Sequence, residues 1–359
     1  MRMNILRQAA LFSVIALLTA CGGTESGNEV SLFPIKNYTE IQGEQICADI
    51  LLKQPHSLLI VEDKLLINDR QVDSLMHMVD LKDNERFWRI APVGQGPNDF
   101  LYLGNMQYDG KELMINDIQK GKFLYYNIEH GDILLDEAHL THQDEFRLSG
   151  NVLAFGSGYV NGMPHGDKRL TLLDKEGKTT GEFGVYPGDT VGLHKDQDLS
   201  FTLRKPISLV VSPQRDKLAV TGITSDWLAF YHLNASGEPE LVKQYYTFET
   251  ENEFIAEYNG DQLAMFSVDK NDRTMETFGA IYSTNSYFYT IYKGKLMKEE
   301  PKPDDTCYLL QLTWDGKLQY AYLLHEMIDA FAVDEQRNCI YATYTAKDED
   351  PVLLKYELK

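Results

Sequence analysis

The sequence has little that would take it through a bilayer or onto a polyanion. Its longest apolar run, Ala9 to Leu18, is broken by Ser13. That falls well short of the about 20 apolar residues a spanning helix needs. Positive charge is scarce: 34 Lys and Arg stand against 54 Asp and Glu, a formal net charge of −20. This balance excludes a nucleic-acid partner, which needs a basic surface, and docking of the protein surface on anionic lipid. Cysteine is sparse, with four residues and no C-x-x-C pair, so neither a zinc ribbon nor a thioredoxin-like site is signalled. No Gly-x-Ser-x-Gly elbow, P-loop or His-Glu-x-x-His is present. His139 and His142 lie three apart beside Asp144 and Glu145, but the stretch reads as a strand end and a turn. Along a strand, that spacing sends the two rings to opposite faces, so no metal is predicted there.

What is present begins at the N-terminus. Arg2 and Arg7 precede the short apolar run, and Thr19 and Ala20 precede Cys21. This is the order of a cleaved secretory signal. Leu18-Thr19-Ala20-Cys21 resembles the bacterial lipobox. The resemblance implies cleavage before Cys21 and a diacylglyceryl thioether on its sulfur, which gives more than the single chain that anchors only marginally. Residues 1–20 are then the signal peptide, 21–29 a lipidated flexible tether and 30–359 the folded body. Cleavage removes two positive charges and leaves −22. Gly22, uncharged beside the cysteine, points to the outer membrane of the cell envelope. After lipidation Cys47, Cys307 and Cys339 remain, and two of them could pair in an exported protein.

The body is made of short β-branched and aromatic runs between Gly, Asp and Asn turns, which signals an all-β fold of hairpins. The runs repeat. Lys64-Leu65-Leu66-Ile67-Asn68-Asp69 and Glu112-Leu113-Met114-Ile115-Asn116-Asp117 match almost residue for residue. Comparable strand pairs begin at Val152, Lys217, Tyr287 and Cys339, making six copies. With flanking strands each copy becomes a four-stranded meander, labelled a to d from the inside outward. Radially repeated four-stranded sheets form a β-propeller. The last copy runs out of chain before a fourth strand. A strand near Val30 to Tyr38 is therefore expected to complete it and close a six-bladed ring, bringing the tether in at the last blade.

Six such units behind a lipobox resemble the TolB-like six-bladed β-propeller lipoproteins. Gly94-Gln95-Gly96-Pro97-Asn98-Asp99-Phe100 is similar to a G-x-G-P-x-E/D-F segment of that group. The resemblance covers the mature chain and implies the fold, with no catalytic residues carried over. Neither the WD40 nor the YWTD pattern recurs. Physically, that segment reads as a structural loop: glycines at positive φ, a fixed proline, and Phe100 tucked under a blade.

In a meander the a–b and c–d turns lie at one end of the ring, and the b–c turns and d–a crossings at the other. The a–b and c–d turns, such as Glu62-Asp63-Lys64 and Asp109-Gly110-Lys111, are short. The long segments Gly156 to Lys168, Tyr186 to Lys205, Glu249 to Met275 and Lys293 to Asp305 all fall at the other end. Long loops on a rigid scaffold usually carry function, so that face is the expected binding face. Tyr159, Asn161, His165, His194, Arg204, Tyr258 and Gln262 are its candidate ligand contacts, being residue types that stack on or hydrogen-bond small polar molecules. The chain is expected to be a non-catalytic binding or scaffold module for a saccharide, peptide or envelope protein, with no cofactor. The alternative is a hydrolase or lyase with a divalent cation in the central channel, held by single residues from several blades, which no linear motif reveals.

Overall fold

The computed structural model describes residues 33, 35–71, 73–83, 86–96, 99–129, 132–139, 152–162, 168–185, 207–223, 226–246, 253–259, 262–269, 275–296 and 306–358. Cys21 lies outside them. Among the described residues no helix is long and apolar enough to cross a membrane.

The repeated motif shows why the chain folds as it does. After two short N-terminal strands, β1 (Thr39–Ile41) and β2 (Gly43–Gln45), blade one runs β3 (Pro55–Val61), β4 (Lys64–Asp69), β5 (Ser74–Asp80) and β6 (Phe87–Pro92). Side chains alternate across a strand. In β4, Leu65 and Ile67 therefore enter one core cluster with Leu58, Val79 and Cys339, while Leu66 enters another with Leu113, Ile115 and Phe100. Both faces of the sheet are buried, so the strand reads as a continuous apolar run rather than an alternating one.

Blade two repeats the arrangement in β7 (Leu103–Tyr108), β8 (Glu112–Asp117), β9 (Lys122–Glu129) and β10 (Asp132–His139). Leu113 and Ile115 face blade one, and Met114 faces blade three. Blade three is β11 (Val152–Phe155), β12 (Gly158–Asn161), β13 (Leu170–Leu173) and β14 (Thr179–Phe183). Blade four is β15 (Ile207–Val211), β16 (Lys217–Gly222), β17 (Trp227–Leu233) and β18 (Pro239–Tyr246). A separate hairpin follows, β19 (Glu253–Asn259) with β20 (Gln262–Asp269). Blade five is β21 (Met275–Ser283), β22 (Tyr287–Leu296), β23 (Cys307–Thr313) and β24 (Leu318–Leu324). Blade six takes β25 (Ala330–Asp334), β26 (Cys339–Tyr344) and β27 (Val352–Glu357), with β2 as its outermost strand.

The fold is therefore an all-β six-bladed propeller. Each a strand lies against the next around the ring, from β3 through β7, β11, β15, β21 and β25 back to β3. One hydrophobic cluster fills each of the six junctions.

The N-terminus closes the ring, at a place later than the sequence suggested. The closing strand is Gly43–Gln45, antiparallel to β27, and not the stretch from Val30 to Tyr38. Just before it, β1 adds a fifth, parallel strand to blade five. Phe33 packs on Tyr245 and Tyr292 in the junction of blades four and five. The chain thus joins the propeller between blades four and five, passes along blade five, and only then completes blade six. Apolar burial of Phe33 fixes this earlier entry.

Three other expectations are revised. In blade three, Val152–Phe155 is strand a, and strand b is Gly158–Asn161, inside the stretch taken as a long b–c loop. A Cβ on Gly158 would stand 2.0 Å from the Leu173 carbonyl oxygen, so the close strand approach requires glycine. The segment from Glu249 to Met275 carries the β19–β20 hairpin rather than an unstructured loop. Cys47, Cys307 and Cys339 are all buried, distributed between two core clusters, and no disulfide joins them to one another.

The Gly94 to Phe100 segment is structural, for a reason other than positive φ. Phe100 is buried in the junction of blades one and two. Asp99 folds back to accept the Gly96 N–H at 2.9 Å, and a Cβ on Gly94 would meet its carboxylate at 2.2 Å. Lys120 donates to the Gly96 carbonyl at 3.0 Å and clamps the loop to blade two.

The Asp that ends the repeated motif has a definite task. Asp69 accepts the N–H groups of Lys53 and Gln54 at 2.9 and 2.6 Å, just before strand a. Asp117 accepts those of Leu101 and Tyr102 at 2.9 and 3.4 Å in the next blade. Each carboxylate satisfies backbone donors where the d–a crossing enters the ring. Burial pushes Asp69 up, but hydrogen bonds from His77, Gln71 and the two N–H groups outweigh it and hold its carboxyl below the usual range.

Closure depends on a tight approach at Gly43, where a Cβ would lie 2.8 Å from the Tyr356 ring. Gly43→Val is therefore expected to destabilise the protein by roughly 1–3 kcal/mol. The check is a fall in the urea midpoint with a larger rise in hydrogen exchange in β2 and β27 than in blade three.

Candidate functional site

The a strands turn one edge to their b strands and the other to the axis. Between them runs a central channel of about 800 Å³. All six blades contribute lining residues, from His56, Ser57 and Ser208 near the d–a end to the a–b turns at the other. A sheet edge exposes unpaired backbone N–H and C=O groups, and three neighbouring side chains cap some of them. Gln107 accepts the Ala154 N–H at 2.6 Å and donates to its carbonyl at 3.2 Å, acting as a short surrogate strand between blades two and three. The Ser283 hydroxyl donates to the Val211 carbonyl at 2.8 Å, joining blades five and four. Tyr282 reaches past blade six to accept the Ile60 N–H at 3.5 Å.

The a–b mouth is charged and cross-linked. Arg337 of blade six binds Asp63 of blade one, and Asp334 at 2.7 Å. Lys82 also binds Asp63, at 2.6 Å, and these hydrogen bonds hold the Asp63 carboxyl below its usual range. Arg215 of blade four sits at φ 61°, and its carbonyl accepts the Gly156 N–H at 2.7 Å. Its guanidinium crosses to Asp109 of blade two at 2.9 Å. Glu335 accepts from Thr284 at 2.7 Å and Tyr289 at 3.1 Å, tying blades five and six. Burial, reinforced by Glu335, raises the Tyr289 phenol well above its ordinary value, so it remains a donor at any physiological pH. The mouth is a polar rim, cross-linked between blades, above an apolar wall that includes Leu59, Val210 and Phe331.

The candidate residues on the long-loop face are dispersed. Tyr159 and Asn161 lie on strand β12 and are buried, at 7% and 6% exposure. Tyr159 stacks on Phe123 at 5.0 Å, and its hydroxyl meets that of Tyr125 at 2.6 Å, so it belongs to the junction of blades two and three. Tyr258 and Gln262 sit near the turn of the β19–β20 hairpin, where Asn259 pairs with Gln262. His165, His194 and Arg204 lie outside the described residues. The channel residues were missed because each is an ordinary strand or turn residue, and only ring closure brings those of the six blades together.

One buried carboxylate on the long-loop side stands out. Asp226, just before β17, is fully buried, and neither oxygen has a hydrogen bond of good geometry among the described residues. Burial pushes its pKa up to about 7, against a weak pull from the Thr277 hydroxyl.

The chain matches the family described as TolB-like 6-blade propeller-like over residues 36–336, and it belongs to that family. No curated protein matches it. Among solved structures it is similar to an exported protein from Bacteroides fragilis, at 11% identity and TM-score 0.48, covering 89% of this chain and 95% of that one. It is also similar to a calcium-binding regucalcin from Agrobacterium tumefaciens, at 11% identity and TM-score 0.47, covering 90% and 98%. A third is an auxiliary nutrient binding protein from Bacteroides thetaiotaomicron, at 9% identity and TM-score 0.46, covering 86% and 70%. At these identities and scores the likenesses carry no functional information.

Asp226 gives a pH-dependent expectation. A carboxyl whose pKa is raised by folding keeps its proton while the unfolded chain loses it. Its contribution to stability therefore falls as pH rises from about 4 to about 7 and stays low above that. Asp226→Asn removes this dependence, so the variant should gain up to roughly 4 kcal/mol on wild type between pH 4 and pH 8. Urea unfolding of both proteins across that range measures the difference; parallel curves would show that Asp226 is not a buried acid.

Proposed function

We propose that the protein is a lipid-anchored module of the cell envelope that binds its ligand, without chemistry, in the central channel and its charged a–b mouth. The observation that carries this reading is the channel itself. It is a preformed cavity of about 800 Å³, within the range of small-molecule sites, with polar groups converging on an apolar wall. The mouth is prearranged by inter-blade bonds, which lowers the ordering cost of binding. The anchor rests on the run Leu18-Thr19-Ala20-Cys21. We place the ligand in the channel; of the long-loop face, Tyr159 and Asn161 are buried in blade three. Among the described residues no group of three or more His, Cys, Asp or Glu side chains is placed to hold a metal ion.

Two measurements in cells check the two halves of the proposal. Cys21→Ser is expected to abolish labelling by a fatty-acid analogue and release the protein from membranes. A photo-crosslinking amino acid at Asn285, in the channel mouth, should give discrete adducts, whereas one at Leu241, exposed on the rim of blade four, should not. Equal labelling from both sites would remove the case for the channel.

A further inference from the structure

The charges of the channel mouth do not cancel. Of the described residues that line the channel, five are Asp or Glu and two are Arg. Both arginines are committed, Arg337 to Asp63 and Asp334, and Arg215 to Asp109 and, at 3.7 Å, to Glu112. Lys82, outside the lining, is bound to Asp63 as well. The negative charge left over sits on two carboxylates. Glu62, exposed on the a–b turn of blade one, has no hydrogen bond or ion pair among the described residues. Glu335, exposed on the a–b turn of blade six, accepts the neutral hydroxyls of Thr284 and Tyr289, which leave its charge uncompensated. Strands a of these two blades lie side by side, so both carboxylates stand on one side of the mouth.

We infer that the channel takes an organic cation, an amine or guanidinium carried on an apolar body. Glu62 and Glu335 hold its charge, and the wall below them takes its body. The inference rests on the channel being the ligand site and adds the charge and shape of the ligand. The cavity suits such a molecule beyond its acids. Its wall is apolar at Leu59, Val210 and Phe331, and Tyr108 and Tyr282 add half-buried aromatic rings. A ring within about 6 Å of a cation attracts it through its negative face. The field of the mouth reaches these rings. Burial, and then the charges of Glu62 and Asp109, raise the Tyr108 phenol; Asp334 and Glu335 add to burial at Tyr282.

The backbone at Glu62 agrees. Glu62 is the first of the two residues that turn β3 into β4, and it sits at φ 52°. Glycine takes that conformation without cost, whereas glutamate does not. The chain thus keeps a carboxylate at a position whose backbone favours no side chain. The net charge of −20 works in the same direction, drawing cations toward the molecule and repelling anions. An anion would also find both channel guanidiniums occupied. A neutral ligand would strip water from Glu62 and Glu335 and return no charge to them. A bare metal ion needs several oxygens converging on one point, and no such group is placed among the described residues.

Calorimetric titration of the purified protein tests this with three probes of one shape: phenethylamine, phenylethanol and phenylacetate. The amide of N-acetylphenylalanylarginine is added as a peptide of the same positive charge. At least one of the two cations should bind about tenfold more tightly than the alcohol and the carboxylate, and should weaken at high salt. Glu62→Gln and Glu335→Gln should each weaken it roughly threefold, and the double variant roughly tenfold. Glu62→Gly should weaken it likewise while keeping the urea midpoint at or above that of wild type, which separates lost binding from lost folding. Tighter binding of the amine identifies a free amine, and of the peptide a basic side chain; both results support the inference. It is overturned if neither cation binds, if the alcohol binds as tightly, or if the double variant binds as wild type. Discrete adducts from Asn285 without binding of either cation would remove the preference for positive charge and leave the channel as a ligand site. Cation binding that ignores the double variant, together with no adducts from Asn285, would remove both.

Discussion

Every blade of this protein is a thin sheet with two apolar faces, and neither face can be left in water. Leu65 and Leu66 are neighbours in sequence but belong to different cores, one shared with blade six and the other with blade two. A sheet of this kind has no stable existence alone and needs a partner on each side. The only arrangement that gives every blade two partners is a closed ring. Hydrophobic burial, worth about 1.5–3 kcal/mol for each large side chain, thus dictates the circular architecture and the axial cavity together.

The cavity is what remains when six twisted sheets meet edge to edge. Its walls are strand edges, which must be satisfied or left available. Gln107, Tyr282 and Ser283 cap some of these edges from neighbouring blades. Arg337, Arg215 and Glu335 cross-link the turns above them. The same contacts that hold adjacent blades in register also shape the rim, so a ligand site there needs little further organisation.

Much of the fold was legible because continuous apolar runs of Leu, Ile and Met mark strands buried on both faces. The two motifs at Lys64 and Glu112 showed this most clearly. Blade three was harder. Its b strand is four residues long and hidden between glycines, and the only local hint was the pair Tyr159-Val160 after Gly156-Ser157-Gly158. The task of the terminal Asp of each motif was not legible, because its partners lie fifteen or sixteen positions earlier in the chain. The site was least legible of all. Channel residues are short stretches of ordinary strand and turn scattered through the chain, and only the closed ring brings them together.

The closing strand has a consequence for the order of folding. Gly43 is made long before its partner Tyr356, which lies on the last strand of blade six. The ring cannot lock until blade six is present, and long-range pairings of this kind form slowly. A precursor still waiting for its final blade stays open and unlatched. Ring closure, rather than the collapse of any one blade, is then the last step of folding.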